Sequence, residues 1–156
     1  MSEKEFDWNK FQRRMRYSDE DLARFKTDPR KVSAAKKIFS REIAKKYLVI
    51  EVVSSHGCSA GMKPGDRLYF RALGVLDTEK SSPWCAAALG EIAGFANMAQ
   101  DRFVAGLNPN DMVYDHFSCM DAGAEFGWGQ VVMKAYVVDA DDLESLHKEK
   151  SISQGP

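Results

Sequence analysis

Hydrophobic positions before residue 40 recur at helical spacing in three short segments. The first follows Asp7, and its apolar residues are spaced by three and four. The second begins at Ser18 with three acidic residues in its first turn, where the helix dipole favours negative charge. The third begins with Asp28 as cap and Pro29 as the first helical residue. The pattern predicts a helical N-terminal arm over residues 1–40, with narrow apolar faces.

The hydrophobic pattern changes to that of strands after the arm. A β-branched run over residues 47–53 is typical of a strand covered on both faces. Residues 67–73 follow a Pro-Gly turn and alternate apolar with polar, which indicates a half-buried strand. Two further strands are predicted over residues 112–120 and 130–138, with a glycine-rich loop between them.

The clearest helix is predicted over residues 83–99. Ser82 suits the N-cap and Pro83 the first helical position. Alanine and glycine crowd its surface, so we expect the helix to be buried on more than one side, at the domain centre or in an oligomer interface.

Together these elements predict an α+β fold with a small, largely antiparallel sheet, one buried central helix and a helical N-terminal arm. The arm spans residues 1–40, the α+β core domain residues 41–139, and a short helix with a tail residues 140–156. His147 falls on that last helix, and we expect it at the surface.

Composition narrows the class of protein. Apolar residues make up 44% and charged residues 29%, as in an ordinary globular domain. No apolar run approaches the ~20 residues of a membrane span, and the first residues do not read as a signal peptide. Three cysteines without a CxxC pair do not form a secreted disulfide framework. We therefore expect a soluble, cytoplasmic protein that does not bind membranes.

The charge is unevenly distributed. Residues 1–46 hold 14 Lys and Arg against 8 Asp and Glu, and the remaining 110 residues hold 8 against 15, so the formal net charge of −1 divides into +6 and −7. The sequence has no zinc-finger spacing, RNA-binding aromatic signature or KH-type loop, so nucleic acid is disfavoured as a partner. The asymmetry favours contacts within the chain or between subunits, and thus a homo-oligomer.

Cys85 is the leading single candidate for chemistry. With Ser82 as N-cap, Cys85 is the third residue of the helix, where unpaired N–H groups and the dipole favour an anion. Cysteines at such positions serve as nucleophiles or metal ligands. The other reading is structural, since Cys85 also lies on the apolar stripe of that helix, and free cysteine is common in cores.

His56 and Cys58 flank a glycine in the loop after the first strand. Glycine between them lets both side chains turn towards one point, and a thiolate with an imidazole suits zinc or iron. Structural zinc sites more often show paired CxxC or CxxH ligands, so the spacing alone does not decide between a functional and an ordinary loop.

Cys119 ends the third predicted strand. Strand alternation places it on the opposite face from His116, so both reach one metal only if a bulge intervenes. Taken alone, Cys119 is expected to pack in the core. Asp121 and Glu125 flank the glycine-rich loop and are candidates for a base or a supporting partner, or are simply solvated.

The three cysteines each lie at an element end, beside a glycine-rich or capped segment. If the strand that precedes Cys58 pairs with the last strand, Cys58, Cys85 and Cys119 converge at one end of the sheet. With His56 they offer three thiolates and one imidazole, the ligand number of a structural zinc. Alternatively, one thiolate is a nucleophile or acid/base and His56 is its partner.

Motifs of known families are few. No phosphate loop, dinucleotide fingerprint, G-x-S-x-G elbow or HExxH is present, which disfavours nucleotide cofactors and the common hydrolase plans. The chain does contain a set of short motifs: Cys58, the turn Lys63-Pro64-Gly65-Asp66, the helix start Pro83-Trp84-Cys85-Ala86, and Cys119-Met120-Asp121. This pattern resembles a family of small uncharacterised prokaryotic proteins, with a domain of about 90 residues that sometimes occurs in tandem.

The resemblance covers residues 45–138 and leaves the N-terminal arm as an addition. It implies that the three cysteines belong together, and it names no activity or substrate. The positions that it carries over are Cys58, Gly65, Asp66, Cys85 and Cys119.

The sequence therefore predicts a small cytoplasmic enzyme, or an enzyme subunit, with a Cys/His site that acts on a small organic molecule. The site either binds a zinc or iron ion through Cys58, Cys85, Cys119 and His56, or uses a thiolate, with Cys85, Cys58, His56 and Asp121 as the catalytic group. The alternative is a non-catalytic accessory or assembly subunit of a larger enzyme, in which the cysteines are structural.

Overall fold

The computed structural model describes residues 6–143 and 145. In this part of the chain the α-helices are α1 (Trp8–Met15), α2 (Asp19–Lys26), α3 (Pro29–Ile38), α4 (Arg41–Ala44) and α5 (Ala86–Val104). The first three have the N-caps that the sequence predicts, Asp7, Ser18 and Asp28. Ser18 and Asp21 form a capping box, since each side chain accepts from the other's backbone N–H.

The arm helices have a small core of their own. Phe11 is its centre, with Leu22 and Ala35 also buried. Five aromatic rings pack around this core, those of Phe6, Trp8, Tyr17, Phe25 and Phe39. Through α3 the arm rests against α5, while Ile43 of α4 enters the main core.

The sheet is antiparallel throughout the described residues, in the order β3-β2-β1-β5-β4. Its strands are β1 (Lys46–His56), β2 (Arg67–Arg71), β3 (Val75–Leu76), β4 (His116–Ser118) and β5 (Gln130–Asp139). The predicted α+β fold is confirmed, with β1 and β5 as central neighbours.

Both faces of β1 are covered, as its β-branched run predicts. Leu48, Ile50 and Val52 belong to the main core, which lies between the sheet and α5. Val49 lies on the other face, in a smaller cluster with Tyr69 and Leu143. Tyr69 is also buried, so β2 is covered on both faces along its first three residues.

The strand predicted over residues 112–120 is observed only at His116–Ser118. The physical reason is Asn110, whose side-chain amide takes the place of a longer strand beside β5. The Val137 N–H donates to Asn110 Oδ1 at 2.6 Å, and Asn110 Nδ2 donates to the Val137 carbonyl at 2.8 Å. A single side chain therefore satisfies both backbone groups at this end of β5.

Helix α5 is the central helix of the domain and contacts both the sheet and α3. Ala88, Ile92, Ala99 and Phe103 are its buried residues. Its remaining side is open along a row of mostly small residues, Ala86, Leu89, Gly90, Ala93, Gly94 and Asn97. The abundance of alanine and glycine predicted that α5 is buried on several sides. In the single chain, one side of the helix is exposed along this strip.

After β5 the described chain forms a 3-10 turn at Ala140–Asp142, and Leu143 packs beneath the second face of the sheet. The predicted surface residue His147 lies outside the described residues. Among the helices of residues 6–143 and 145, none has the length and apolar character needed to cross a bilayer.

Candidate functional site

Cys58, Cys85 and Cys119 line one cavity of about 50 Å³, together with Asp121. We call this cavity the cysteine pocket. The three cysteines come from separate segments: the loop after β1, the start of α5 and the end of β4. All three are free thiols; Cys58 and Cys85 are partly exposed, whereas Cys119 is 8% exposed.

Cys58 is positioned by the loop that leaves β1. Gly57 before it adopts a φ of 65°, in the left-handed region that favours glycine. The Gly61 N–H then donates to the Cys58 carbonyl at 3.1 Å and closes a turn around the cysteine. Gly57 also packs against Gly129 of the β4–β5 connection, which brings this loop to the wall that carries Cys119 and Asp121.

Cys85 lies at the N-cap of α5 rather than in its first turn. The predicted helix start at Pro83, with Ser82 as cap, is wrong because Ser82 is occupied by β2. The Ser82 N–H donates to the Arg67 carbonyl at 2.8 Å, and the Arg67 N–H donates to Ser82 Oγ at 3.3 Å. The helix therefore begins at Ala86, and the Cys85 side chain makes no capping hydrogen bond.

Cys119 continues the pairing of β4 with β5 beyond Ser118. Its N–H donates to the Val131 carbonyl at 2.9 Å, and the Val131 N–H donates to Cys119 Sγ at 3.4 Å. His116 does not join this group. Its Nδ1 lies 2.7 Å from Asp115 Oδ1, and this partner lowers the pKa of the Asp115 carboxyl.

Asp121 lines the cysteine pocket and also holds the loop between β4 and β5 in place. Its Oδ1 accepts from the N–H groups of Gly123 at 3.3 Å and Trp128 at 3.0 Å, and its Oδ2 accepts from Gly129 N–H at 3.2 Å. Both carboxylate oxygens are therefore used by the backbone. The geometry gives Asp121 a positioning task in addition to its place at the pocket.

His56 is not among the residues that line the cysteine pocket. Val131 lies in the main core on the α5 side of the sheet, and Ser55 is its partner in register. His56 pairs with Gln130, so it falls on the opposite face, where it is exposed. The cause is the register shift between Val52 and Ser54, which inserts one extra residue and exchanges the two faces beyond it.

The ligands expected for zinc or iron are thus only partly brought together. The three cysteines share the pocket, and His56 stands apart from it. Across residues 6–143 and 145, no group of three or more His, Cys, Asp or Glu side chains is arranged to hold a metal ion.

The loop from Cys119 to Gly129 exposes large apolar side chains that the sequence analysis did not single out. Met120 is 68% exposed, and Phe126 and Trp128 are each 80% exposed. Met120 also lies over α5, since its N–H donates to the Ala87 carbonyl and its sulfur faces Gly90. We call these three side chains the apolar rim. Three large apolar residues in a glycine-rich loop are the signal that could have indicated it.

A second group missed from the sequence lies on the other face of the sheet. Glu51 Oε2 accepts from Arg67 Nε at 3.0 Å and from the Tyr136 hydroxyl at 2.6 Å. Burial would raise the pKa of Glu51, but these two hydrogen bonds outweigh it and lower that pKa. Burial and the Glu51 carboxylate together raise the pKa of Tyr136. A glutamate inside a strand covered on both faces is the sequence signal for such a partner.

Comparisons with family models, curated proteins and solved structures found no match for this chain.

Proposed function

We propose that this chain is a small enzyme, or an enzyme subunit, whose chemistry is carried by thiols of the cysteine pocket and acts on a small organic molecule. The observation that carries this function is the convergence of three cysteines, distant in sequence, on one cavity. Cores commonly contain single free cysteines, but three around one cavity provide a concentrated group of nucleophiles.

The thiols are the reacting groups because of what else lines the pocket. Among the described residues that line the pocket, Asp121 is the one ionisable side chain besides the three cysteines, and backbone N–H groups occupy both oxygens of its carboxylate. Cys58 and Cys85 are partly exposed and accessible to a ligand, whereas Cys119 is buried behind them in the pairing with β5. We assign the nucleophile to Cys85 or Cys58, and a supporting place to Cys119.

The size of the pocket limits what enters it. A cavity needs about 10–15 Å³ of volume to hold one water molecule, so a cavity of about 50 Å³ admits a reacting group of a few heavy atoms. The remainder of a substrate lies outside, next to the exposed side chain of Met120, whose chain neighbours Cys119 and Asp121 both line the pocket. These dimensions support a small organic molecule with an apolar part and a compact reactive group.

A zinc or iron ion remains the second form of this proposal. Three thiols are the donor set that such soft or borderline ions prefer, although the side chains as placed do not form a ready metal group. Elemental analysis of protein purified without an affinity tag and without oxygen separates the two forms. Stoichiometric zinc or iron that is lost in Cys85→Ser and Cys119→Ser supports the metal form, and its absence from folded protein leaves the thiol form.

We further propose that the chain works in the cytoplasm as a homo-oligomer, without nucleic acid or membrane as partner. Free thiols suit a reducing compartment. The exposed strip of α5 and the basic arm beside an acidic body support contact with a second copy. Light scattering during size-exclusion chromatography, at low and high salt, tests this part: a monomer at all concentrations contradicts it.

Native-state alkylation with iodoacetamide, followed by mass spectrometry of each cysteine, tests the thiol assignment. We expect Cys58 and Cys85 to react in the folded protein and Cys119 to react only after unfolding in guanidinium. Uniformly slow labelling of all three contradicts the proposed function and favours the accessory subunit with structural cysteines.

A further inference from the structure

We infer that the cysteine pocket reduces a small peroxide, with Cys85 as the attacking thiol and Cys58 as the second thiol, and ends as a Cys58–Cys85 disulfide. This assignment deepens the proposed function and rests on it, since it identifies the compact reactive group of the substrate as a hydroperoxide, for which hydrogen peroxide is the smallest probe. Three observations support the assignment: the size of the cavity, the side chains that line it, and the different exposure of its three cysteines.

The cavity fits a peroxide better than a larger oxidant. Its volume of about 50 Å³ exceeds the cavity volume of about 10–15 Å³ that one water molecule needs, and hydrogen peroxide has only two heavy atoms. An oxidised dipeptide or tripeptide thiol is many times larger and reaches these sulfurs only from outside. A peroxide therefore fits inside the pocket as a whole molecule, whereas a peptide disulfide does not.

The chemistry of the lining also fits this substrate. Thiolates reduce peroxides to water without a metal or an organic cofactor. Acyl transfer, by contrast, requires a base beside the nucleophile, and His56 lies on the opposite face of the sheet. With the Asp121 oxygens used by the backbone, the groups left to react are the thiols themselves.

The exposure of each cysteine, and the helix or loop that carries it, assign the roles of attacking thiol and second thiol. Cys119 is 8% exposed, and its sulfur accepts from the Val131 N–H, so it is the least available of the three. Cys85 is held at the start of the 19-residue helix α5, a fixed position for the first attack. Cys58 lies in the loop after β1 and lines the same cavity as Cys85, so it is the thiol placed to attack the oxidised Cys85.

The reaction balances in two steps. The Cys85 thiolate attacks one peroxide oxygen, an S–O bond forms as the O–O bond breaks, and the leaving hydroxide or alkoxide takes up a proton as water or alcohol. The Cys58 thiolate then attacks the sulfur of the resulting sulfenic acid, an S–S bond forms as the S–O bond breaks, and hydroxide leaves as water. Two thiols lose two electrons in total, and the peroxide gains them.

The experiment treats the fully reduced chain with one equivalent of hydrogen peroxide under argon. We expect the intact mass to fall by two hydrogen atoms, and peptide mapping without reductant to show Cys58 joined to Cys85 while Cys119 stays alkylatable. Circular dichroism before and after treatment checks that the fold is retained. Glutathione disulfide at the same concentration serves as the arm for the larger oxidant, and we expect it to react more slowly.

Single variants separate the two roles. In Cys58→Ser, the sulfenic acid on Cys85 persists and is trapped by dimedone; in Cys85→Ser, no disulfide and no dimedone adduct form; in Cys119→Ser, the disulfide forms as in the wild type. The wild-type peptide map needs no variant, so a variant that fails to fold does not remove the test.

Three results overturn the peroxide assignment: a disulfide that includes Cys119, oxidation of wild type without any disulfide, or glutathione disulfide reacting as fast as peroxide. Each leaves the proposed function standing if Cys58 and Cys85 still react with iodoacetamide in the folded chain. If neither thiol reacts with iodoacetamide or with peroxide, both the peroxide assignment and the proposed function fail.

Discussion

Gly57 and Gly129 pack backbone against backbone beside the cysteine pocket. A Cβ atom on Gly57 would lie 2.6 Å from the Trp128 carbonyl oxygen and 3.2 Å from Gly129 Cα, and a Cβ on Gly129 would meet the backbone of His56 and Gly57. This contact joins the loop that carries Cys58 to the hairpin connection that carries Asp121. The shape of the pocket therefore depends on two residues that have no side chain.

Gly129→Ala is expected to destabilise the protein and to open the pocket. The added methyl group meets the backbone of His56 and Gly57, which has no flexible side chain to yield, and overpacking of this kind costs about 1–3 kcal/mol. Urea denaturation measures the loss of stability. The matched control is Gly94→Ala on the exposed strip of α5, where a Cβ meets nothing within 4 Å of the single chain; at protein concentrations where light scattering gives a monomer, it should stabilise by up to about 1 kcal/mol. Equal effects of the two substitutions contradict the close packing.

Asp121→Asn is expected to loosen the loop between β4 and β5. An amide has one acceptor oxygen where the carboxylate uses two, so at least one of the N–H groups of Gly123, Trp128 and Gly129 loses its partner, at a cost of about 1–3 kcal/mol. Hydrogen exchange should be faster at the Trp128 and Gly129 amides. Glu125→Gln, an exposed change in the same loop, should alter stability by less than about 0.5 kcal/mol. Unchanged exchange in Asp121→Asn argues against the positioning task.

Glu51→Gln is expected to remove part of the dependence of stability on pH. Burial raises the pKa of Glu51, but the hydrogen bonds from Arg67 and Tyr136 outweigh it and hold that pKa below its ordinary range. A folded-state pKa below the unfolded value of about 4.3 stabilises the protein above that pH, and the contribution is lost as the pH falls through the folded value. At pH 7 the variant should lose about 1–3 kcal/mol, because a charged hydrogen-bond acceptor is removed from beside Arg67.

The measurement for Glu51 is urea denaturation of wild type and variant from pH 7 to pH 3. The difference in free energy of unfolding between wild type and variant should shrink as the pH falls. Protonation of Glu51 removes from wild type the negative charge that the substitution has already removed from the variant. Glu79→Gln, at an exposed position, should follow wild type at every pH. A difference that stays constant down to pH 3 is incompatible with the lowered pKa.

Asn110→Ala is expected to destabilise the end of β5. The substitution leaves the Val137 N–H and carbonyl without the amide that satisfies both, which costs about 1–3 kcal/mol for a buried donor. Asn110→Asp retains an acceptor for the N–H but no donor for the carbonyl, so its stability at pH 7 should lie between those of wild type and Asn110→Ala. If both variants match wild type in thermal unfolding, the amide does not replace the strand.

The parts of the fold that the sequence predicted correctly are governed by neighbours in the chain. Asp7, Ser18 and Asp28 cap helices through residues two or three positions away, so their roles follow from local pattern. Likewise, β1 and β5 are long strands with marked apolar patterns, so both could be predicted from their own residues. The two strands pair with each other, which is the condition on which the cysteine convergence depended.

The parts that differ depend on contacts between distant residues. Ser82 has the chemistry of an N-cap, but its hydroxyl accepts a hydrogen bond from Arg67 of β2 instead. The residues around Ser82 give no sign of this distant partner. His56 is turned to the other face by a register shift at Val53, which carries no glycine or proline to mark it. Asn110 likewise replaces strand pairing at Val137, 27 positions away in the chain. The cysteines could be predicted as a group from the ends of the strands and helix that carry them. His56 could not be placed, because its face depends on the register shift.

The most direct test of the shared pocket of Cys58 and Cys85, whose thiols carry the proposed function, is bridging with a short bifunctional thiol reagent such as dibromobimane. It becomes fluorescent when it joins two sulfurs, and peptide mapping identifies the pair. We predict a bridge between Cys58 and Cys85 in the folded, reduced protein, lost in Cys58→Ser and in Cys85→Ser and retained in Cys119→Ser. Adducts to single cysteines in folded wild type, with no bridged pair, would contradict a shared pocket.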